Sequence, residues 1–171
     1  MLRRQLLLAG LAFPLHSLAQ TCGVVTEAQT EGPFFKPKSP PRKSLVEGGA
    51  ATLVVTGVVV TKECKPVANA LLDFWHADEH GDYDNSGFRY RGHQFTDAEG
   101  RYRLETIVPA EYPGRTRHIH VKAQAPGGRI LTTQLYFPNE PANRRDGLFS
   151  PSLTMLLGRP GEGSFDFVLP A

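Results

Sequence analysis

The sequence predicts an all-β protein, an antiparallel β-sandwich with long loops. Short segments rich in Val, Ile, Thr and aromatic residues recur along the chain, separated by Gly, Pro, Asn and Asp, as in strands joined by turns. No long segment with a helical hydrophobic period lies between them, which favours antiparallel pairing. The predicted strands are residues 51–60, 69–77, 100–108, 117–125, 129–137 and 164–170.

The N-terminal segment, residues 1–19, has the features of a signal peptide. Arg3 and Arg4 precede an apolar run, and small residues stand just before Gln20, as at a cleavage site. The paired arginines leave both the twin-arginine and the general secretory route open. Because the apolar run is too short for a stable membrane span, we expect an exported protein that is periplasmic or secreted.

Residues 20–49 are predicted to form an N-terminal arm. This segment is rich in Pro, Gly, Thr and Lys and has neither a helical nor a strand period, as expected for an ordered loop. The predicted strands follow in residues 50–171, and a chain of 171 residues suits one sandwich domain. Residues 150–158 begin with Ser150, a helix-capping residue type, and form the one predicted short helix.

Charge and cysteine content limit the partners and the redox compartment. Without the arginines of the signal segment, basic and acidic residues are equal in number, so nucleic acid is not an expected partner. Cys22 and Cys64 are the only cysteines, and in an exported protein such a pair is expected to form a disulfide. Two free thiols are the alternative.

The segment RTRHIH, residues 115–120, places two histidines on one predicted strand. Alternate side chains of a strand point to the same face, so His118 and His120 project together. Such a pair is either part of an exposed polar face or half of a metal site. The usual zinc patterns are absent from the sequence around it. Carboxylates that would complete a ferrous site are Asp73, Asp78, Glu79 and Asp84, and no spacing selects one.

Two tyrosines in turns offer a different kind of ligand. Tyr83 lies in HGDYDN, and Tyr112 lies in PAEYPG shortly before the histidine pair. The pKa of free tyrosine is about 10, so a phenol binds a metal at neutral pH only when a strongly Lewis-acidic ion displaces its proton. Ferric iron is such an ion. As ordinary corner tyrosines of a sandwich, the two residues would have no metal role.

Four ordered motifs give the chain a family resemblance. The segments TEGPFF, DFWHADEHGDYDN, TDAEGRYRLETIVPAEYPGRTRHIH and TTQLYF together resemble the intradiol ring-cleavage dioxygenases, the catechol, hydroxyquinol and protocatechuate group. The resemblance spans residues 30–137 and implies an Fe(3+) site carried by the loops of the sandwich. The metal ligands that it implies are Tyr83, Tyr112, His118 and His120.

The resemblance also implies catalytic and pocket residues. Arg115 matches the active-site arginine of the family, and Gln134 matches its supporting glutamine. Tyr112 is implied to act in catalysis as a ligand that dissociates when substrate binds. The residues implied to line the substrate pocket are Gly32, Pro33, Phe34 and Tyr136.

The implied activity is cleavage of a catechol-type ring by O2 between its two hydroxyl-bearing carbons, with muconate-type products. The implied partners are a small aromatic diol and O2, while the exact diol and any homo-oligomer stay open. The segments GVVVTKECKPVANALLDFW and TDAEGRYRLETIVP also resemble transthyretin-like and carboxypeptidase-regulatory modules, which would make the chain a non-catalytic β-sandwich binding module. A third interpretation is a copper or zinc binder that uses the histidines alone.

Overall fold

Two β-sheets pack face to face in the computed structural model, which describes residues 22–47 and 49–170. The predicted signal segment lies outside these residues, and none of the helices within them is long and apolar enough to cross a membrane. Two short 3-10 helices, Pro141–Arg144 and Pro151–Leu153, occur in the described chain. The strands there are β1 Leu53–Thr61, β2 Leu71–Trp75, β3 Arg91–Phe95, β4 Arg101–Thr106, β5 His118–Gln124, β6 Ile130–Tyr136, β7 Leu156–Leu157, β8 Glu162–Ser164 and β9 Phe167–Leu169.

The two sheets differ in how their strands pair. In the sheet with the order β3-β2-β5-β6, each pair is antiparallel. In the sheet with the order β4-β1-β8-β7, β8 runs parallel to β1, and β9 pairs parallel with a later part of β1. The predicted β-sandwich is confirmed. β8 and β9 pair with successive parts of β1, residues 54–56 and 59–61, and both run parallel to it.

The hydrophobic core lies between the two sheets and follows strand alternation. In β5, Ile119, Val121 and Ala123 belong to the core, so the residues between them point to the outer face of the sheet. Removal of these apolar side chains from water is the main force that holds the sheets together. The other strand residues in this core are Leu53, Val55, Val59, Leu72, Phe74, Tyr102, Leu104, Leu131, Leu135, Phe167 and Leu169.

The arm covers the outer face of the β3-β2-β5-β6 sheet. The backbone N–H of Gln29 donates to the carbonyl of Thr132 in β6 at 2.8 Å. Further along, the Ser39 hydroxyl donates to the Asp73 carboxylate in β2 at 2.8 Å. The arm therefore crosses the sheet, and the histidine pair of β5 is buried although it lies outside the sandwich core.

The elements that differ from the sequence prediction include β3 and the segment predicted as a helix. The sequence predicts no strand at β3, because RGHQF is mostly polar, yet β3 pairs with β2 and faces the arm. The helix predicted at residues 150–158 is limited to the 3-10 turn Pro151–Leu153. Just after that turn, the N–H of Met155 donates to the carbonyl of Tyr136 at 2.9 Å, and this bond draws the chain into β pairing.

The predicted disulfide between Cys22 and Cys64 is confirmed, with a Cα–Cα distance of 5.2 Å. Cys64 lies between β1 and β2. The bond therefore ties the first described residue of the arm to the body of the sandwich.

His76 follows β2 and is buried against Tyr90, with ring centroids 5.1 Å apart. Its Nδ1–H donates to the carbonyl of Ala77 at 2.7 Å, and its Nε2 accepts from the Thr106 hydroxyl at 2.6 Å. Both ring nitrogens are thus satisfied by a neutral imidazole. Burial lowers the pKa of His76 to about 4.

Replacement of both Cys22 and Cys64 by serine is expected to lower the free energy of unfolding by about 4 kcal/mol, because the cross-link spans 42 residues and restricts the unfolded chain. Urea denaturation of the oxidised wild type and the double variant measures this difference. Reduced wild type is the matched control and should resemble the variant. Equal stability of the oxidised protein and the variant would contradict the prediction.

Acidification is expected to destabilise the protein through His76. Between pH 6.5 and about 4 the unfolded chain binds a proton that the folded state excludes, so the free energy of unfolding falls as pH falls, by about 3 kcal/mol from this group. Urea denaturation of chelator-treated protein from pH 7 to pH 4 measures the free energy of unfolding as a function of pH. We expect this free energy to fall less steeply with decreasing pH in His76→Gln than in the wild type. The exposed histidine supplies a control, His80→Gln, which should keep the wild-type slope. A His76→Gln curve that is merely shifted at every pH would refute this explanation.

Candidate metal centre

Two imidazole nitrogens meet on the outer face of β5. His118 and His120 are both buried, and their Nε2 atoms lie 3.1 Å apart. Bonds from imidazole to a first-row metal are about 2.1 Å long, so two adjacent ligands of one ion lie about 3 Å apart. The two nitrogens therefore have the separation expected of ligands that share an ion.

Neighbouring groups orient both rings. Nδ1–H of His118 donates to the carbonyl of Thr116 at 2.6 Å, so the lone pair of this ring is on Nε2. The ring of His120 stacks on Trp75, with centroids 4.8 Å and planes 4° apart. Burial lowers the pKa of His118 to about 4 and the pKa of His120 well below its usual value. Both rings are therefore neutral at pH 7, the form that binds metals.

Tyr83 is brought to the same point by the loop between β2 and β3. Its hydroxyl lies 3.3 Å from Nε2 of His118, and its ring stacks on Phe34 of the arm with centroids 4.3 Å apart. Burial raises the pKa of Tyr83, and the positive charges of Arg115 and Arg91 only partly offset this rise. The group is thus a protonated phenol unless a cation displaces the proton.

Tyr112 reaches the site because its loop packs directly on the loop of Tyr83. Gly81 has a φ of +92°, and a Cβ there would lie 2.4 Å from the carbonyl oxygen of Glu111, so a side chain would separate the loops. The ring of Tyr112 packs edge-on against Phe34 and Tyr83, with centroids 5.2 and 5.9 Å away. Its hydroxyl makes no hydrogen bond to any described residue, and the side chain is half-buried.

Arg115 is held beside the histidine pair by side chains of β6. Its Nη2–H donates to Oε1 of Gln134 at 2.6 Å and to the hydroxyl of Tyr136 at 3.2 Å. Gln134 is the register partner of His120, and Tyr136 is the register partner of His118. The guanidinium therefore lies near both histidines and contributes to their lowered pKa values.

The pocket residues implied by the resemblance have different environments. Gly32 has a φ of +72°, and a Cβ there would lie 3.3 Å from Cε1 of His120, so the arm approaches the ring closely. Pro33 is exposed, and Phe34 packs on both tyrosines. Tyr136 is fully buried. Its hydroxyl donates to Gln29 Oε1 at 2.7 Å, so it supports the neighbours of the site instead of lining open space.

Two charged residues near the site are not predicted from the sequence. Arg91 of β3 is buried, and it donates to the carbonyl oxygens of Phe34 at 2.6 Å and Asp84 at 3.0 Å, which joins the arm to the loop of Tyr83. Asp146 binds Arg115 through Nε at 2.9 Å. Neither lies in a local motif or in a predicted strand, so the sequence carries no signal for either of them.

The donors present fit a hard, strongly Lewis-acidic ion such as ferric iron. Within residues 22–47 and 49–170, no three His, Cys, Asp or Glu side chains form a metal-binding group. Asp78 and Asp84 accept backbone N–H groups, Asp73 accepts from Ser39, and Glu79 accepts from Arg89. None of the four joins the histidine pair in such a group, so the ferrous two-histidine, one-carboxylate alternative is not assembled among the described residues. Imidazole and phenol oxygen are the donors that converge.

The sequence is similar to those of known dioxygenases. The sequence model of a family described as Dioxygenase matches residues 30–160. Catechol 1,2-dioxygenase 2 of Acinetobacter lwoffii is 35% identical over 144 residues, which are 68% of this chain and 52% of that protein. The protocatechuate 3,4-dioxygenase beta chain of Burkholderia cepacia is 37% identical over 57% of this chain and 49% of its own. The chain spans about half the length of the curated relatives it matches.

The solved structures that resemble this chain are also dioxygenases. The dioxygenase domain of a dioxygenase carbohydrate-binding protein fusion from Streptomyces sp. SirexAA-E is 59% identical, with a TM-score of 0.81 over 85% of this chain and 98% of that chain. The 3-chlorocatechol 1,2-dioxygenase of Rhodococcus opacus 1CP is 30% identical, with a TM-score of 0.76 over 88% and 74%. These matches do not favour the alternative of a non-catalytic transthyretin-like module.

Substitution Gly32→Ala is expected to weaken metal binding about tenfold, because the new methyl group would press on the ring of His120. Gly127→Ala is the matched control, since Gly127 has a φ of +70° and nothing within 4 Å of its Cβ position. Both variants should lose about 1 kcal/mol of stability from the positive φ. Metal titration of the chelator-treated proteins separates the two effects. Equal metal affinity in both variants would contradict the contact.

Proposed function

Because the chain belongs to the intradiol ring-cleavage dioxygenase family, we propose that it is a non-haem iron(III) dioxygenase of catechol-type aromatics. The observation that carries this proposal is the meeting of two neutral imidazole Nε2 atoms, 3.1 Å apart, with the Tyr83 hydroxyl 3.3 Å from one of them. The net reaction adds both atoms of O2 to the diol and breaks the bond between its hydroxyl-bearing carbons, which yields a muconate-type diacid.

We assign four side chains as holders of the iron: Tyr83, Tyr112, His118 and His120. When bound, ferric iron draws electron density from a chelated diol and makes its ring carbon reactive towards O2. His118 and His120 offer neutral nitrogen donors because burial keeps their pKa values low. Tyr83 offers an oxygen donor that is fixed by stacking on Phe34.

Tyr112 is proposed as the exchangeable phenol. It is half-buried, and its hydroxyl bonds to no described residue, so it moves without breaking a hydrogen bond of the protein. As a holder of iron that a diol can replace, its phenolate oxygen would take up one of the two hydroxyl protons that the diol must lose. The second hydroxyl proton of the diol requires another acceptor, and we propose that a hydroxide ion from solvent takes this role.

Arg115 and Gln134 are proposed to act on the substrate side of the site. The Arg115 guanidinium carries a fixed positive charge beside the histidines and stabilises negative charge that develops on the diol. Gln134 orients it, because Oε1 accepts from Arg115 at 2.6 Å while Nε2–H donates to the Thr30 carbonyl at 3.0 Å. Both contacts exist before substrate binds, so they add no cost of ordering during the reaction.

We further propose an exported enzyme, on the basis of the signal features of residues 1–19. An exported dioxygenase meets diols outside the cytoplasm. The 59% identical relative comes from a bacterium described as cellulolytic. Lignin-derived diols therefore belong in the substrate screen together with catechol, hydroxyquinol and protocatechuate.

The visible spectrum of the purified protein, before and after anaerobic addition of catechol, tests the proposal. We expect a red-brown charge-transfer band from phenolate to iron(III), and a shift of that band when the diol chelates. A protein that stays colourless after loading with ferric iron would overturn the proposal. Preferential binding of copper or zinc, with no such band, would instead support the alternative of a simple metal binder.

Single substitutions assign the ligands. His120→Ala should lose the iron, whereas Tyr112→Phe should keep much of it and slow diol binding, because Tyr83 and both histidines remain. The fully buried Tyr102 lies in the sandwich core, and Tyr102→Phe is the control that should leave the band unchanged. An active, iron-replete His120→Ala protein would contradict the assignment.

A further inference from the structure

The carboxylate of Asp146 is buried, and both of its oxygen atoms contact Arg115. Its side chain is 1% exposed, and it faces Arg115 with Nε 3.0 Å from Oδ1 and 2.9 Å from Oδ2. Oδ2 also accepts the backbone N–H of Thr116 at 2.9 Å, and Oδ1 accepts the N–H of Leu148 at 2.9 Å. Burial of a carboxylate is unfavourable unless such partners are present, so this contact is a built feature of the site.

The contacts of Arg115 divide its guanidinium into an anchored part and an open part. Nε is bound by Asp146, and Nη2 is bound by Gln134 and Tyr136. Nη1 hydrogen-bonds to none of the described residues. Three of the five guanidinium N–H groups at most are therefore used by the protein, and the Nη1 edge is left to meet a ligand.

The turn that carries Asp146 also helps to orient the ring of His118 through Thr116. Asn143, in the 3-10 helix Pro141–Arg144, accepts a hydrogen bond from the Thr116 hydroxyl at 2.7 Å. The Thr116 N–H is bound by Asp146, and its carbonyl accepts from Nδ1 of His118. Residues 141–146 therefore hold the stretch of chain that presents both the charge and one imidazole.

We propose that Asp146 is a positioning residue: it holds Arg115 by Nε so that Nη1 faces the bound diol. This inference rests on the proposed function. It extends that function to a segment outside the four sequence motifs, and the Asp146 side chain hydrogen-bonds to none of the four side chains assigned as holders of the iron. Among the described residues its one ion pair is with Arg115, so loss of its charge is expected to lower kcat through Arg115, while the amide oxygen of an asparagine can still accept the Thr116 N–H.

A double-mutant cycle tests this dependence. Asp146→Asn keeps the size of the side chain and removes its charge, and we expect kcat for catechol to fall about 10- to 100-fold, the usual effect of removing a support of a metal site. In an Arg115→Leu background the same substitution should change kcat less than about twofold, because the group through which it acts is gone. The charge-transfer band of the iron protein and its melting temperature report whether the centre and the fold stay intact.

A matched control is available in the same turn region. Glu140 pairs with Arg117 at 3.1 Å, an ion pair of similar length that does not involve Arg115. Glu140→Gln should leave kcat within about twofold of wild type, since exposed or half-exposed pairs contribute little. Loss of activity in Glu140→Gln as large as in Asp146→Asn would show that any broken ion pair in this region damages the enzyme, and would overturn the proposal.

A second readout needs no activity. In iron-free protein, the Arg115 Nε–H resonance can be identified by its loss in Arg115→Leu, and we expect its exchange with solvent to become about tenfold faster in Asp146→Asn. Unchanged protection, or an equal fall in kcat in both backgrounds, would overturn the positioning role. If wild type binds no iron or cleaves no diol, the proposed function fails, and the exchange measurement still decides whether Asp146 fixes Arg115.

Discussion

The site depends on the burial of two neutral imidazoles that face each other on the outside of a sheet. The Nε2 atoms of His118 and His120 lie 3.1 Å apart, and burial lowers the pKa of both rings. Neither imidazole is therefore protonated at neutral pH. Nδ1 of His120 also lacks a partner among the described residues. A cation bound between the two Nε2 atoms would satisfy lone pairs that burial keeps away from water. The same arrangement without a cation leaves these polar atoms poorly satisfied.

The arm, Trp75 of β2 and the loop of Tyr83 together contact the two buried rings. A two-layer sandwich leaves the outer faces of its sheets in water, and here the arm crosses one of these faces. Gly32 and Gly81 adopt positive φ values where backbone approaches the His120 ring and the loop of Tyr112. Arg91 then joins the arm to the Tyr83 loop through two carbonyl oxygens. The disulfide at Cys22 tethers the beginning of this cover.

Arg115 and Asp146 form an ion pair of opposite charges beside the two histidines. The Arg115 guanidinium would repel a metal cation if it could move freely, but Asp146 and Gln134 hold it from the side away from its Nη1 edge. Hydrogen bonds outweigh burial and lower the pKa of Asp146, so that its charge balances the arginine. The sandwich supplies a rigid frame for these loops, and the loops supply the chemistry.

The sequence by itself determined the strands of the core, the common face of His118 and His120, and the disulfide, because alternation along a strand and the redox logic of paired cysteines are local or pairwise signals. It also identified the two tyrosines by their turns, through family resemblance. Tertiary structure alone decided that polar β3 is a strand and that Asp146 anchors Arg115, 31 residues away. Those contacts join segments that meet only after the sheets and the arm have packed, and no local pattern encodes them.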